Sequence, residues 1–121
     1  MRLQGTFAIE TQGCKLNQSD SESISRQFIQ AGYRLVPLSA GPDIYVLNSC
    51  TVTHVADAKA RQALRAAKSK YPDITVVATG CYAERAPDEL SAIQGVDVIL
   101  GNTGKLSLVE TVVKHRIKRS V

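Results

Sequence analysis

Cys14, Cys50 and Cys81 occupy equivalent places along the chain. Cys14 follows the β-like run Thr6–Thr11 through Gln12 and Gly13, Cys50 follows Ile44–Leu47 through Asn48 and Ser49, and Cys81 follows Ile74–Ala78 through Thr79 and Gly80. Each stands where a short apolar run ends and a helical pattern begins. In an open α/β sheet the carboxyl ends of parallel strands share one edge, and ligands bind there. Thiols remote in sequence are thereby expected to converge on one rim. Three thiolates on that rim make a metal site with an open fourth position, and thiolate softness narrows the metal to zinc, copper(I) or iron–sulfur.

Other chemistries stay open on the residues alone. An unpaired cysteine is often a small buried hydrophobe. Structural zinc prefers four ligands, and His54 or His115 is the available fourth, with His54 nearer the expected rim. Cys14 has Lys15 beside it, which suits an activated nucleophile, although no C-x₅-R phosphate loop follows. Gly101-Asn102-Thr103-Gly104 can cradle a phosphate at a helix start or serve as a plain turn.

The elements that must position these residues alternate along the chain. A strand is expected over Thr6–Thr11 and a helix over Ser19–Ala31, with Ser19 and Glu22 at capping-box spacing and Gly32 as the stop. A short strand over Tyr33–Leu38 and a turn over 39–42 follow. Asp43–Asn48 reads as a strand and His54–Lys70 as a helix carrying Ala56, Ala60, Ala63, Leu64 and Ala67 on one face. Pro72 disfavours helix in the residue before it. Ile74–Thr79 reads as a strand, Pro87–Ile93 as a helix ended by Gly95, and Val96–Leu100 as the last strand. A final helix holds Leu106, Val109, Val113 and Ile117 on one face. Five strands and four helices in alternation imply an α/β fold with a mainly parallel sheet. The expected form is a flavodoxin-like open five-stranded sheet, order 2-1-3-4-5, with helices on both faces.

Size and composition agree. The 121 residues suit one domain, and 44% are hydrophobic while only 5% are aromatic. A core of Val, Ile, Leu and Ala is typical of a buried parallel sheet. The charged fraction, 21%, does not suggest disorder. The formal net charge of +4 is a mild argument for an anionic partner. Its basic residues gather in two places: Arg61, Arg65 and Lys68 on one helix face, and Lys114, His115, Arg116, Lys118 and Arg119 near the C-terminus. Either group can be an ordinary solvated surface or a docking surface for tRNA or a protein. Residues 1–5 lack the apolar stretch of a secretory signal, no run is long enough to span a membrane, and an odd cysteine count argues against a disulfide framework. A cytoplasmic location is expected.

Three motifs carry a family resemblance. Thr11-Gln12-Gly13-Cys14-Lys15-Leu16-Asn17-Gln18-Ser19-Asp20-Ser21-Glu22 resembles the opening motif of the radical-SAM methylthiotransferases. Asn48-Ser49-Cys50-Thr51-Val52-Thr53, followed by Ala56 and Asp57, resembles their second, and Gly80-Cys81-Tyr82-Ala83 their third. The resemblance runs from Thr6 to Leu108. The residues after Cys50, with Arg61 and Gln62, resemble the branch that methylthiolates N6-threonylcarbamoyladenosine at tRNA position 37.

The resemblance implies that Cys14, Cys50 and Cys81 hold an auxiliary [4Fe–4S] cluster whose open iron carries the sulfur or methylthio group to be inserted. It implies a second [4Fe–4S] cluster that cleaves S-adenosylmethionine in a radical-SAM domain, and a TRAM domain that helps hold tRNA. The C-x₃-C-x₂-C signature of the radical-SAM domain is absent from this sequence. Residues 1–113 are therefore expected to form the auxiliary-cluster domain of a longer transferase. Residues 114–121 would be a basic helix end or linker towards the radical-SAM domain, and the 121 residues alone would be inactive. Gln12, Asn17 and Asn48 flank the expected cluster and are candidates to donate hydrogen bonds to its sulfurs, which tunes such clusters. Asn17 is equally suited to a helix start.

Overall fold

The structure is a computed structural model that describes residues 5–12, 15–49, 54–101 and 108–120, with 15–18, 54 and 116–120 described by their backbone alone. Its strands are β1 (Gly5–Gln12), β2 (Tyr33–Leu35), β3 (Ile44–Ser49), β4 (Thr75–Gly80) and β5 (Val98–Leu100). The helices are α1 (Lys15–Gln30), α2 (His54–Lys70), α3 (Cys81–Arg85), α4 (Pro87–Ser91) and α5 (Leu108–Ser120), with a 3₁₀ turn at Leu38–Ala40. The strands form one sheet in the order β2-β1-β3-β4-β5, and every pairing is parallel. This is the expected flavodoxin-like order.

Side chains that alternate along each strand divide between two cores, as a pleated sheet requires. Tyr45, Leu47, Val76 and Ala78 face one side, with Ala60, Leu64 and Ala67 of α2, Tyr82 and Ala83 of α3, and Leu90 of α4. The small alanines let α2 lie close to the sheet. Phe7, Ile44, Val46 and Val77 face the other side, against Ile24 and Phe28 of α1 and Leu108, Val109 and Val112 of α5. Strands β3 and β4 are buried along their whole length. Phe28 anchors the second core, stacked on Phe7 at 4.8 Å and edge-on to Tyr33 at 5.6 Å. Phe28→Ala should cost about 3–5 kcal/mol of stability, read as a lower urea midpoint. A loss under about 1 kcal/mol would mean that this core collapses around the gap.

Apart from shifts of one residue, the elements differ from the sequence expectation in five places. Helix α1 begins at Lys15, a turn before the expected cap at Ser19. Ser19 and Glu22, which resemble a capping pair, lie inside the helix, beside Ser21, which makes tertiary hydrogen bonds. Strand β2 stops at Leu35 rather than Leu38: Val36 still donates to Phe7 O at 2.9 Å, but Pro37 has no N–H to continue the ladder. A fifth helix, α3, follows β4 directly, and its five residues are too few for a periodic signal. Helix α4 ends at Ser91 rather than Ile93, and β5 begins at Val98 rather than Val96. Val96 instead donates to Ile93 O, closing a turn beyond the helix that contains Gly95 at φ 103°. The basic segment after Val113 continues as helix through Ser120. Among the described residues no helix is long and apolar enough to cross a membrane.

Candidate metal centre

The pairing register aligns the carboxyl ends of three adjacent strands. Gln12 of β1 pairs with Ser49 of β3, and Ser49 pairs with Gly80 of β4. These are the residues from which the chain departs towards Cys14, Cys50 and Cys81. The first two departures flank the point where strand order reverses, between β1 and β3, which is where open α/β sheets form their binding crevice. Cys81 is half-buried and is the first residue of α3. Cys14 and Cys50 lie outside the described residues. Among the described residues no three His, Cys, Asp or Glu side chains form a metal-binding group.

Gly80 explains how two of these ends come so close. Its backbone lies at φ 101°, a region that L side chains rarely adopt. A Cβ there would strike the Ser49 carbonyl oxygen and lie 2.7 Å from Asn48 Oδ1 and 2.8 Å from Ser49 N. Only glycine allows the β3 and β4 ends to touch at this level.

Hydrogen bonds on the β1 side tie the crevice together. Asn48 is fully buried, and its Nδ2 donates to Ser21 Oγ at 3.1 Å. The Ser21 hydroxyl shares a 2.6 Å hydrogen bond with that of Thr11. The chain Thr11–Ser21–Asn48 thus links β1, α1 and β3 next to the strand ends. Of the three residues considered for contact with cluster sulfur, Asn48 is turned at least partly to Ser21. Gln12 is half-buried at the end of β1. Asn17 lies in the first turn of α1, its side chain outside the described set. Thr11 and Ser21 lie within the first motif, but nothing in the sequence alone marks them as hydrogen-bonded crevice residues, since a polar residue in a helix or at a strand end usually faces solvent.

On the β4 side, charged groups surround α3. Arg85 Nη2 donates to Asp57 Oδ2 of α2 at 2.6 Å, and the Arg85 guanidinium lies over the Tyr82 ring at 5.2 Å. The hydrogen bond to Asp57 raises the Arg85 pKa, so the group stays charged. Arg61 Nη1 donates to Tyr82 Oη at 2.9 Å, and the same hydroxyl donates to Glu89 Oε1 at 3.2 Å. Lys68 donates to Ile74 O at 2.7 Å and to Asp97 Oδ2 at 2.9 Å. Two of the three cations expected on one open face of α2 are therefore engaged within the fold, and Arg65 is exposed. Burial and the Glu10 charge raise the Tyr45 pKa, so its phenol stays protonated and donates to Glu10.

The imidazole candidates differ. His115 on α5 stands 3.9 Å from Asp97 Oδ1, and Asp97 is tied to Val76 near the amino end of β4. It stands towards the amino end of β4, away from the cysteine-bearing ends, so His54 stays the imidazole considered for a fourth zinc ligand. His54 opens α2, with its side chain outside the described set. Of the phosphate-cradle candidate at 101–104, only Gly101 lies among the described residues.

Residues 6–101 match the model of a group described as an uncharacterized protein family, UPF0004. A protein of Aquifex aeolicus named threonylcarbamoyladenosine tRNA methylthiotransferase MtaB is 44% identical over 117 residues, covering 94% of this chain and 28% of that protein. Its namesake in Bacillus subtilis is 39% identical over 114 residues, covering 94% and 25%. A Corynebacterium glutamicum protein named tRNA-2-methylthio-N(6)-dimethylallyladenosine synthase is 33% identical over 122 residues, covering 96% and 23%. The chain spans about a quarter of the length of these curated relatives.

Proposed function

The chain belongs to the UPF0004 family, and from that premise we propose that it is the cluster-holding N-terminal domain of a longer cytoplasmic tRNA methylthiotransferase. Cys14, Cys50 and Cys81 are its metal ligands, and the group they hold is a [4Fe–4S] cluster. When bound, that cluster supplies the sulfur or methylthio group for the modification. The substrate we favour is N6-threonylcarbamoyladenosine in tRNA, because the relatives of 44% and 39% identity carry that name. S-adenosylmethionine chemistry and most tRNA contact belong, in this reading, to radical-SAM and TRAM domains joined after residues 114–121.

The observation that carries the reading is the register Gln12–Ser49–Gly80. Adjacent strands lie about 4.8 Å apart, and consecutive Cα atoms about 3.8 Å apart. Cys81 follows Gly80 directly, Cys50 follows Ser49 directly, and Cys14 is two residues beyond Gln12. Covalent connectivity confines all three to the carboxyl rim of the sheet, and in this reading the metal centre draws them together there. The donor set fits a thiolate-held cluster, since iron–sulfur clusters take cysteine ligands and one histidine candidate stands away from the cysteine-bearing ends. The chain's own part is to hold these thiols in place: Gly80 allows the close approach of β3 and β4, and the Thr11–Ser21–Asn48 chain braces the β1 side. Engagement of Arg61 and Lys68 within the fold weakens the reading of this domain as mainly a docking surface.

Anaerobic reconstitution with iron and sulfide tests the proposal. The expected result is one [4Fe–4S] cluster per chain by iron and sulfide analysis and Mössbauer spectroscopy. Tight zinc occupancy with no iron–sulfur absorption would overturn it in favour of a structural zinc domain.

A further inference from the structure

Helix α3 has five residues, and an isolated helix of that length is unstable in water. Its direction must come from what holds it. Tyr82 and Ala83 are buried in the core beneath it. On one side Gly101 passes so close that a Cβ there would strike the Glu84 carboxylate. On the other side Arg85 is held by Asp57 at 2.6 Å. The Asp57 side chain is only 8% exposed, and its second oxygen, Oδ1, has no hydrogen-bond partner among the described residues. The Arg85 side chain is 42% exposed, and Asp57 lies in the first turn of α2, where a carboxylate suits the helix dipole. The pair thus fastens the end of α3 to the start of α2. Its location matters. Asp57 stands on the helix that follows Cys50, and Arg85 stands at the end of the helix that Cys81 begins.

We propose that the Asp57–Arg85 ion pair is a positioning device that sets the direction of α3 and thereby the placement of Cys81 relative to Cys50. The proposal rests on the cluster reading above and deepens it. Arg85 suits the task because its planar guanidinium can hydrogen-bond Asp57 and stack on Tyr82 at once, which a lysine cannot do. Neither residue touches the cluster in this account. They act through the backbone of α3.

The test uses thiol bridging, which needs no metal. In the 121-residue chain carrying Cys14→Ser, Cys50 and Cys81 are the remaining thiols, and dibromobimane joins them only when they stand close together. The wild-type pair should bridge readily. Asp57→Asn and Arg85→Gln should each slow bridging about tenfold, because small displacements of reacting groups carry rate penalties of that order or larger. Alkylation of each thiol by iodoacetamide and the far-UV circular dichroism should stay unchanged. Arg85→Lys, which keeps the charge but not the planar fork, should fall between. With all three cysteines present, the reconstituted Asp57→Asn chain should bind less iron and show an altered electron paramagnetic resonance spectrum. Wild-type bridging rates in both Asp57→Asn and Arg85→Gln would overturn the proposal. So would losses that follow the unfolding midpoint alone while Arg85→Lys behaves as wild type. A wild-type pair that does not bridge would instead overturn the cluster reading itself, and this inference with it.

Discussion

Replacing Cys14, Cys50 or Cys81 by alanine in a full-length enzyme carrying this domain is expected to abolish methylthiolation of tRNA while leaving cleavage of S-adenosylmethionine intact. On the proposed ligation the two reactions depend on different ligand sets and should separate. If three protein thiolates hold the auxiliary cluster, loss of any one should leave too few ligands to retain it. The chemistry that yields 5′-deoxyadenosine would, in that reading, need none of the three. The assay measures both products from each variant on tRNA bearing N6-threonylcarbamoyladenosine, with iron counted to verify that the other cluster is present. Retained methylthiolation in the Cys14→Ala enzyme would remove this domain from sulfur insertion. By the same logic, the 121-residue chain alone should show neither reaction.

Among the described glycines, Gly80→Ala is expected to be the most damaging substitution by a single methyl. The new Cβ meets backbone atoms of Ser49 rather than a flexible side chain, so relief requires β3 and β4 to separate. The φ of 101° adds strain for any L side chain. Overpacking and backbone strain each cost about 1–3 kcal/mol, giving a combined loss of roughly 2–6 kcal/mol. A urea titration reads this directly, and the surviving folded protein should also take up less iron. A loss below about 0.5 kcal/mol, the range of ordinary surface substitutions, would show that the strand ends are not held as close as described.

Much of the frame was legible before any coordinates. The α2 bounds follow from a long alanine-rich stripe and the break at Pro72, and they agree at both ends. The parallel sheet follows from alternation and the preference for parallel crossovers, and its strand order is the expected flavodoxin-like 2-1-3-4-5. Short or polar pieces were less legible. Helix α3 is too brief to show a period, β2 is cut short by Pro37, and the first turn of α1 lies ahead of a cap-like Ser19 that lies within the helix.

The same division runs through the candidate site. Residue type and order along the chain determined which groups could act: three thiols, each just past a strand, and the motifs around them. Those are local properties, set by apolar periodicity and turn chemistry over a few residues. Tertiary structure decided that Gln12, Ser49 and Gly80 end level with one another, since strand register depends on packing both faces of the sheet at once. It also decided that Asp57 meets Arg85 from 28 residues away, and that Ser21 meets Asn48 from 27. It turned His115 and Lys68 towards Asp97. No local pattern encodes such pairings, because each depends on where two separately formed elements are brought together by the burial of their apolar faces.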